Sequence, residues 1–212
     1  EHSLLEQIGP ILFALIGVGL LFIPRLVNLS DLLGQIFKVT SAIISILAFI
    51  YISLEGLLLR MGEASFVLLI AYLIIGSHFV FLSYLVNSRF FSYLSPIFLG
   101  AALFELLSIL DKYLLPITFS LEIYTVGFLL FILLGTANLY SKLGVIRKSS
   151  RDIGLLIMIL SLIIAQGLND WVELGVMLLL FCLVIYLLIK LEESKTYQEI
   201  CLWMLPISLG LL

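Results

Sequence analysis

Two glutamates on either side of a predicted connection between two helices are the strongest candidates for chemistry in this sequence. Glu105 lies six residues before Asp111, at the end of one apolar run. Glu122 lies six residues after Pro116, at the start of the next run. On two antiparallel helices that rise about 1.5 Å per residue, both carboxylates are expected at the same depth, about 9 Å inside the membrane boundary.

Three further acidic residues are predicted at the same level of the protein. Glu55 lies near the end of the second apolar run, whereas Asp170 and Glu173 lie at the start of the seventh. Carboxylates at membrane depth are costly to expose to lipid and generally face a bundle interior, a partner or a water-filled cavity. We therefore predict a candidate proton or cation site that comprises Glu105, Glu122, Glu55, Asp170 and Glu173.

The same acidic residues also have a simpler structural interpretation. The three nearest to helix ends are ordinary interfacial charges in that interpretation, and Glu105 pairs with Lys112 or Arg60. The sequence leaves both interpretations open, because it does not fix which way each side chain points.

His78 is the only histidine inside an apolar run, and it falls near the middle of the third one. Haem held by two imidazoles needs a second histidine at the same depth, which His2 at the start of the chain does not supply. A hydrogen-bonded packing histidine is the favoured interpretation, and a proton relay or a quinone contact is the alternative. We predict no cofactor and no metal.

The composition places these residues in a membrane protein. The chain of 212 residues is 63% hydrophobic and 12% charged, whereas soluble domains are about half apolar and about a quarter charged. Long apolar runs without alternation predict helices rather than a transmembrane barrel. We therefore predict an all-α fold, a polytopic transmembrane helix bundle that forms a single domain over residues 1–212.

Seven apolar runs are long enough to cross a bilayer as helices of about 20 residues. They cover residues 8–23, 39–59, 64–86, 90–110, 114–140, 153–168 and 172–189. An eighth run, residues 200–212, has 13 residues and contains Pro206. We favour an eighth span there, and the alternative is a re-entrant or interfacial segment. Glycines such as Gly127 and Gly135 are predicted to let helices pack closely.

The basic residues predict the orientation, because cytoplasmic loops hold an excess of lysine and arginine. On one side of the membrane the alternate loops carry nine basic residues, namely Arg25, Lys38, Arg89, Lys142, Arg147, Lys148, Arg151, Lys190 and Lys195. The other side carries only Arg60 and Lys112, which completes the chain's total of eleven. We therefore predict that the amino terminus lies outside and that the loop from Lys142 to Arg151 is cytoplasmic.

Several function classes are disfavoured by what the sequence lacks. No G-x-S-x-G, H-E-x-x-H or P-loop pattern occurs, so no catalytic residue is predicted and a non-enzymatic protein is favoured. The net charge of −3 offers no basic face, so no nucleic acid partner is predicted. The predicted partners are the lipid bilayer, a proton or small cation, and sibling membrane subunits.

Three functions remain as hypotheses. The first is a transporter-like protein or membrane-complex subunit whose outer-half carboxylates bind or relay protons or small cations. The second is a seven-helix sensor or receptor module with a ligand pocket that opens outward. The third is a structural anchor subunit of a larger complex, for example a respiratory one. The distance and environment of Glu105 and Glu122 should separate them.

Overall fold

A computed structural model describes residues 4–27, 31–58, 65–113, 118–136, 144–167, 171–192 and 195–211. Within these ranges 97% of the residues are helical and no strand occurs. The eight helices are α1 Leu4–Leu26, α2 Asp31–Leu58, α3 Phe66–Val86, α4 Arg89–Tyr113, α5 Phe119–Leu129, α6 Gly144–Gly167, α7 Trp171–Glu192 and α8 Lys195–Leu211, and α5 continues as a π-helical segment, Leu130–Thr136. The predicted all-α fold is confirmed.

Six of the helices, α2 to α7, are long and apolar enough to cross a membrane. The count for α5 includes its π-helical segment, since the apolar stretch there is Phe119–Thr136. The chain is therefore an integral, multi-pass membrane protein. The apolar stretches of the first and last helices, Ile8–Pro24 and Glu199–Leu211, are shorter, so their crossing of the membrane stays a prediction.

Two helices begin well before the apolar runs that predicted them. The sixth helix starts at Gly144, nine residues before Ile153, and it includes Arg147 and Arg151 in its first turns. The prediction of a loop is therefore wrong for residues 144–151. The second helix likewise starts at Asp31, eight residues before Val39. Apolar runs mark the part of a helix that lies in lipid, whereas charged and serine residues continue the helix beyond it.

The helices pack as two groups of four. The buried core of the first group includes Ile52, Ile75 and Phe79 from α2 and α3, and that of the second includes Met158 and Met177 from α6 and α7. Within each group the first helix packs on the second and the third on the fourth. The groups meet where α4 packs against α5 and α6, so Glu105 on α4 and Glu122 on α5 lie beside that junction.

The crossing of α5 over α6 depends on two facing glycines. A Cβ atom added at Gly127 would lie 2.7 Å from the carbonyl oxygen of Gly154, and one added at Gly154 would lie 2.7 Å from that of Gly127. Gly135 lies close to the side chain of Arg151 in the same way. The predicted role of Gly127 and Gly135 in close helix packing is therefore confirmed.

The orientation of the bundle can be tested with single cysteines. In a variant with Cys182 and Cys201 replaced by alanine, we expect Thr118→Cys to react with a membrane-impermeant maleimide on intact cells. Ser88→Cys should react only after the membrane is permeabilised. Ser88 lies between α3 and α4 and Thr118 lies just before α5, so the predicted orientation puts the first on the cytoplasmic side and the second outside. The reversed labelling pattern would place Ser88 outside and Thr118 in the cytoplasm and would contradict the predicted orientation.

Candidate functional site

Four glutamates lie at the same end of the bundle, where α2 and α4 finish and α3, α5 and α7 begin. We call this set the acidic layer, and its members are Glu55, Glu105, Glu122 and Glu173. Three of them, Glu55, Glu105 and Glu122, are at most 9% exposed. The role of these residues as a proton or cation site stays a prediction, and Asp170 lies outside the described residues.

Glu105 binds the first turn of α3. Its Oε1 atom accepts a hydrogen bond of 2.6 Å from the backbone N–H of Ser65. Ser65 is the N-cap residue of α3, and its side chain accepts a hydrogen bond from the N–H of Val67. A carboxylate is favourable there because the N-terminus of a helix carries unsatisfied N–H groups and a partial positive charge. The sequence did not predict this partner.

Glu122 takes a different partner from Glu105. The hydroxyl of Ser108 on α4 donates a hydrogen bond to Oε1 of Glu122 on α5. Ser108 lies three residues after Glu105, which corresponds to about 4.5 Å along a helix. The two carboxylates are therefore positioned by neighbouring turns of α4, but Glu105 joins that helix to α3 whereas Glu122 joins it to α5.

A third carboxylate joins α5 to α7. The hydroxyl of Ser120 donates a hydrogen bond to Oε1 of Glu173 in the first turn of α7. The backbone carbonyl of Ser120 accepts a hydrogen bond of 2.5 Å from the hydroxyl of Ser161 on α6. The hydroxyls of Thr118 and Ser120 lie 3.3 Å apart. Ser120 thus holds the start of α5 to α6 and to α7 by polar contacts.

A cavity of about 500 Å³ adjoins Glu105 between α2, α3, α4, α5 and α6. The polar residues of its lining are Glu105, Ser53 and Tyr72. The hydroxyl of Ser53 lies 3.1 Å from the hydroxyl of Tyr72. The remaining lining residues are Gly56, Leu68, Ile97, Gly100, Ala101, Phe104, Ile123, Val126, Ile153, Leu156 and Ile157. The cavity is therefore apolar along its walls, with polar groups contributed by α2, α3 and α4.

The acidic layer does not form a metal cage in the part of the chain that the structure describes. Within that part, no group of three or more His, Cys, Asp or Glu side chains is arranged to hold a metal ion. The carboxylates of Glu105, Glu122 and Glu173 are instead distributed over three helix-to-helix contacts.

His78 lies in a separate polar cluster and connects three helices. Its Nε2 atom lies 2.9 Å from the hydroxyl of Ser41, and its Nδ1 atom lies 2.7 Å from that of Ser45. Ser41 donates its own proton to the carbonyl of Gly17 on α1, at 2.6 Å. Ser41 must therefore accept from Nε2–H, and Ser45 donates to Nδ1. These contacts support the interpretation of His78 as a hydrogen-bonded packing residue.

Serine residues are the part of the site that sequence reasoning missed. The backbone N–H of Ser65 and the hydroxyls of Ser108 and Ser120 each donate a hydrogen bond to a carboxylate of the acidic layer. None of these three contacts was predicted from the sequence. In apolar helices a serine looks like any small packing residue. The sequence did contain one signal: Ser108 lies about one helical turn from Glu105, and Ser120 lies two residues from Glu122.

Comparison of the chain with protein-family models, with curated proteins and with solved structures found no match.

Proposed function

We propose that the acidic layer takes up and releases protons or small cations on one side of the membrane, as part of a transporter-like protein or of a membrane-complex subunit. One observation carries the proposal: three carboxylates of the layer each join two helices through a hydrogen bond. Glu105 joins α4 to α3, Glu122 joins α5 to α4, and Glu173 joins α7 to α5.

The chemistry of these contacts suits proton exchange. An ionised carboxylate only accepts hydrogen bonds, whereas a protonated one also donates. A serine hydroxyl does both, so Ser108 beside Glu122 and Ser120 beside Glu173 can reorient when the carboxylate gains or loses a proton. A bound monovalent cation would similarly replace the hydroxyl proton as the partner of the carboxylate.

Exchange at these carboxylates would be coupled to helix packing. Protonation or cation binding weakens the hydrogen bond that a carboxylate accepts, because charge-assisted hydrogen bonds are about twice as strong as neutral ones. Since each contact joins two helices, the relative positions of α3, α4, α5 and α7 would respond. A local change of charge that biases helix packing is a common basis of gating and of signalling.

The proposal is tested by replacing Glu122 with glutamine in the full chain. Glutamine keeps the size of the side chain and an oxygen that accepts from Ser108, so the fold should be retained. In liposomes with an internal pH-sensitive dye, or with a cation-sensitive one, we expect the wild-type protein to dissipate an imposed gradient. Glu122→Gln should reduce that rate toward the leak rate of protein-free liposomes.

The matched control is Glu199→Gln on α8, which removes a carboxylate from an exposed position. It should leave the rate unchanged. Equal proton and cation rates in wild-type, Glu122→Gln and protein-free liposomes would contradict the proposal.

A sensor or receptor module is the second candidate, and the cavity beside Glu105 favours it. A pocket of about 500 Å³ lies within the range of about 300–1,000 Å³ that is typical of small-molecule sites. A sensor would bind its ligand without dissipating any gradient, so the liposome assay combined with a binding assay separates the two candidates.

A further inference from the structure

We infer that the cavity beside Glu105 binds an organic cation that dissolves in the membrane, with an apolar body and a protonated amine head. This inference names a substrate class for the acidic layer. It rests on the proposed function because both involve Glu105. The walls of the cavity are a separate feature, since proton exchange does not require them.

Small residues create the space. Gly56, Gly100 and Ala101 line the cavity on α2 and α4. At Gly56 an added Cβ atom would lie 2.9 Å from a methyl group of Leu68, so a larger residue there would displace the side chain of Leu68 in the cavity wall. The resulting volume of about 500 Å³ accommodates the apolar body of a small molecule.

The cavity is reached from the side of the bundle. Ile97 and Leu156 belong to its lining and are 42% and 52% exposed. Both lie near the middle of helices that cross the membrane, α4 and α6, so their exposed faces contact lipid. A ligand that enters here comes from the bilayer and must therefore be largely apolar.

The polar end of the cavity favours a positively charged head. Glu105 is the one carboxylate among the described residues that line it, and its Oε1 atom is fixed by the N–H of Ser65 at 2.6 Å. A carboxylate accepts up to about four hydrogen bonds, so it can bind an ammonium group while it keeps the contacts that it already makes. The hydroxyls of Ser53 and Tyr72 supply further polar contacts.

The apolar walls strengthen this preference for a cation. Charges attract more strongly where water is excluded, because the effective dielectric constant is lower there. An ammonium head would form a charge-assisted hydrogen bond with the carboxylate of Glu105, which is stronger than the hydrogen bond that a neutral alcohol of the same shape would donate. Selectivity for an amine over a neutral alcohol of equal length is therefore the distinguishing property of the site.

The test uses photolabelling of the full chain in nanodiscs. The probes are a long-chain primary alkylamine that carries a diazirine and the alcohol of the same chain length. We expect the amine to label peptides of the cavity wall saturably, and unlabelled alkylamine to compete with it. Labelling by the amine at a subsaturating concentration should fall about tenfold or more in Glu105→Gln, because hydrogen bonds to charged groups are strong.

A second variant fills the cavity without removing a carboxylate. Ala101→Phe should abolish labelling of the wall by the amine. Wild-type protein that exchanges protons or small cations in liposomes but is not labelled saturably by the amine would contradict this inference alone, so its failure and the failure of the proposed function give different results. Ile163→Phe, at a position 60% exposed on α6, is the matched control and should label normally. Equal labelling by amine and alcohol that Glu105→Gln does not change would overturn the inference, since an ordinary acyl chain would then explain it.

Discussion

Replacing Gly154 with alanine is expected to destabilise the bundle by about 1–3 kcal/mol, the usual cost of forcing an extra group into a packed core. The added Cβ atom would lie 2.7 Å from the carbonyl oxygen of Gly127 and 3.1 Å from the backbone nitrogen of Phe131. Backbone atoms cannot rotate away as a side chain does, so α5 and α6 must separate. Thermal unfolding of the purified protein in detergent measures the effect.

Gly19→Ala provides the matched control, because no atom lies within 4 Å of a Cβ atom added there. Away from close contacts, alanine is the better helix residue by about 0.5–1 kcal/mol. We therefore expect Gly19→Ala to leave the unfolding temperature unchanged or slightly raised. A loss as large as that of Gly154→Ala would contradict this explanation, because it would show that a glycine with no close neighbour is equally sensitive to an added methyl group.

The helices of this fold were predictable because a membrane imposes strong constraints on the sequence. Hydropathy located every helix, and the small residues Gly127 and Gly135 indicated close packing. Hydropathy misplaced the start of α6 because Arg147 and Arg151 are charged, yet they belong to the helix. The partner of Gly127 was not predictable, since no local pattern specifies that Gly154 on the next helix faces it.

The end of the bundle that holds the candidate site was predictable, but its contacts were not. Counting residues at a fixed rise per residue predicted that Glu105 and Glu122 lie at a similar level, and the structure has both side chains buried near the same end of the bundle. Their partners did not follow, because the direction of a side chain depends on how the helices are rotated. The cavity beside Glu105 arises from five helices together, so a sequence read one helix at a time does not reveal it.

His78→Ala is expected to destabilise the bundle by about 2–5 kcal/mol, the range for removing a large buried side chain. The imidazole is 3% exposed, and its contacts with Ser41 and Ser45 join α3 to α2. Ser41 extends the cluster to α1 through the carbonyl of Gly17. Ser45→Ala should cost about 1 kcal/mol, as is typical of one hydrogen bond. Thermal unfolding of the single variants and the double variant measures the coupling.

The double-mutant cycle and the tautomer together distinguish a hydrogen-bonded cluster from simple packing. We expect a coupling of about 0.5–3 kcal/mol between His78 and Ser45, as for residues in one hydrogen-bond network. Nitrogen NMR should find the proton on Nε2, because Ser41 donates to Gly17 and can only accept from the ring. Ser77→Ala, an exposed neighbour on the same helix, should change stability by no more than about 0.5 kcal/mol. A proton on Nδ1 would exclude the proposed hydrogen-bond directions. Additive effects of the two substitutions would exclude a coupled cluster and leave His78 as a space-filling residue.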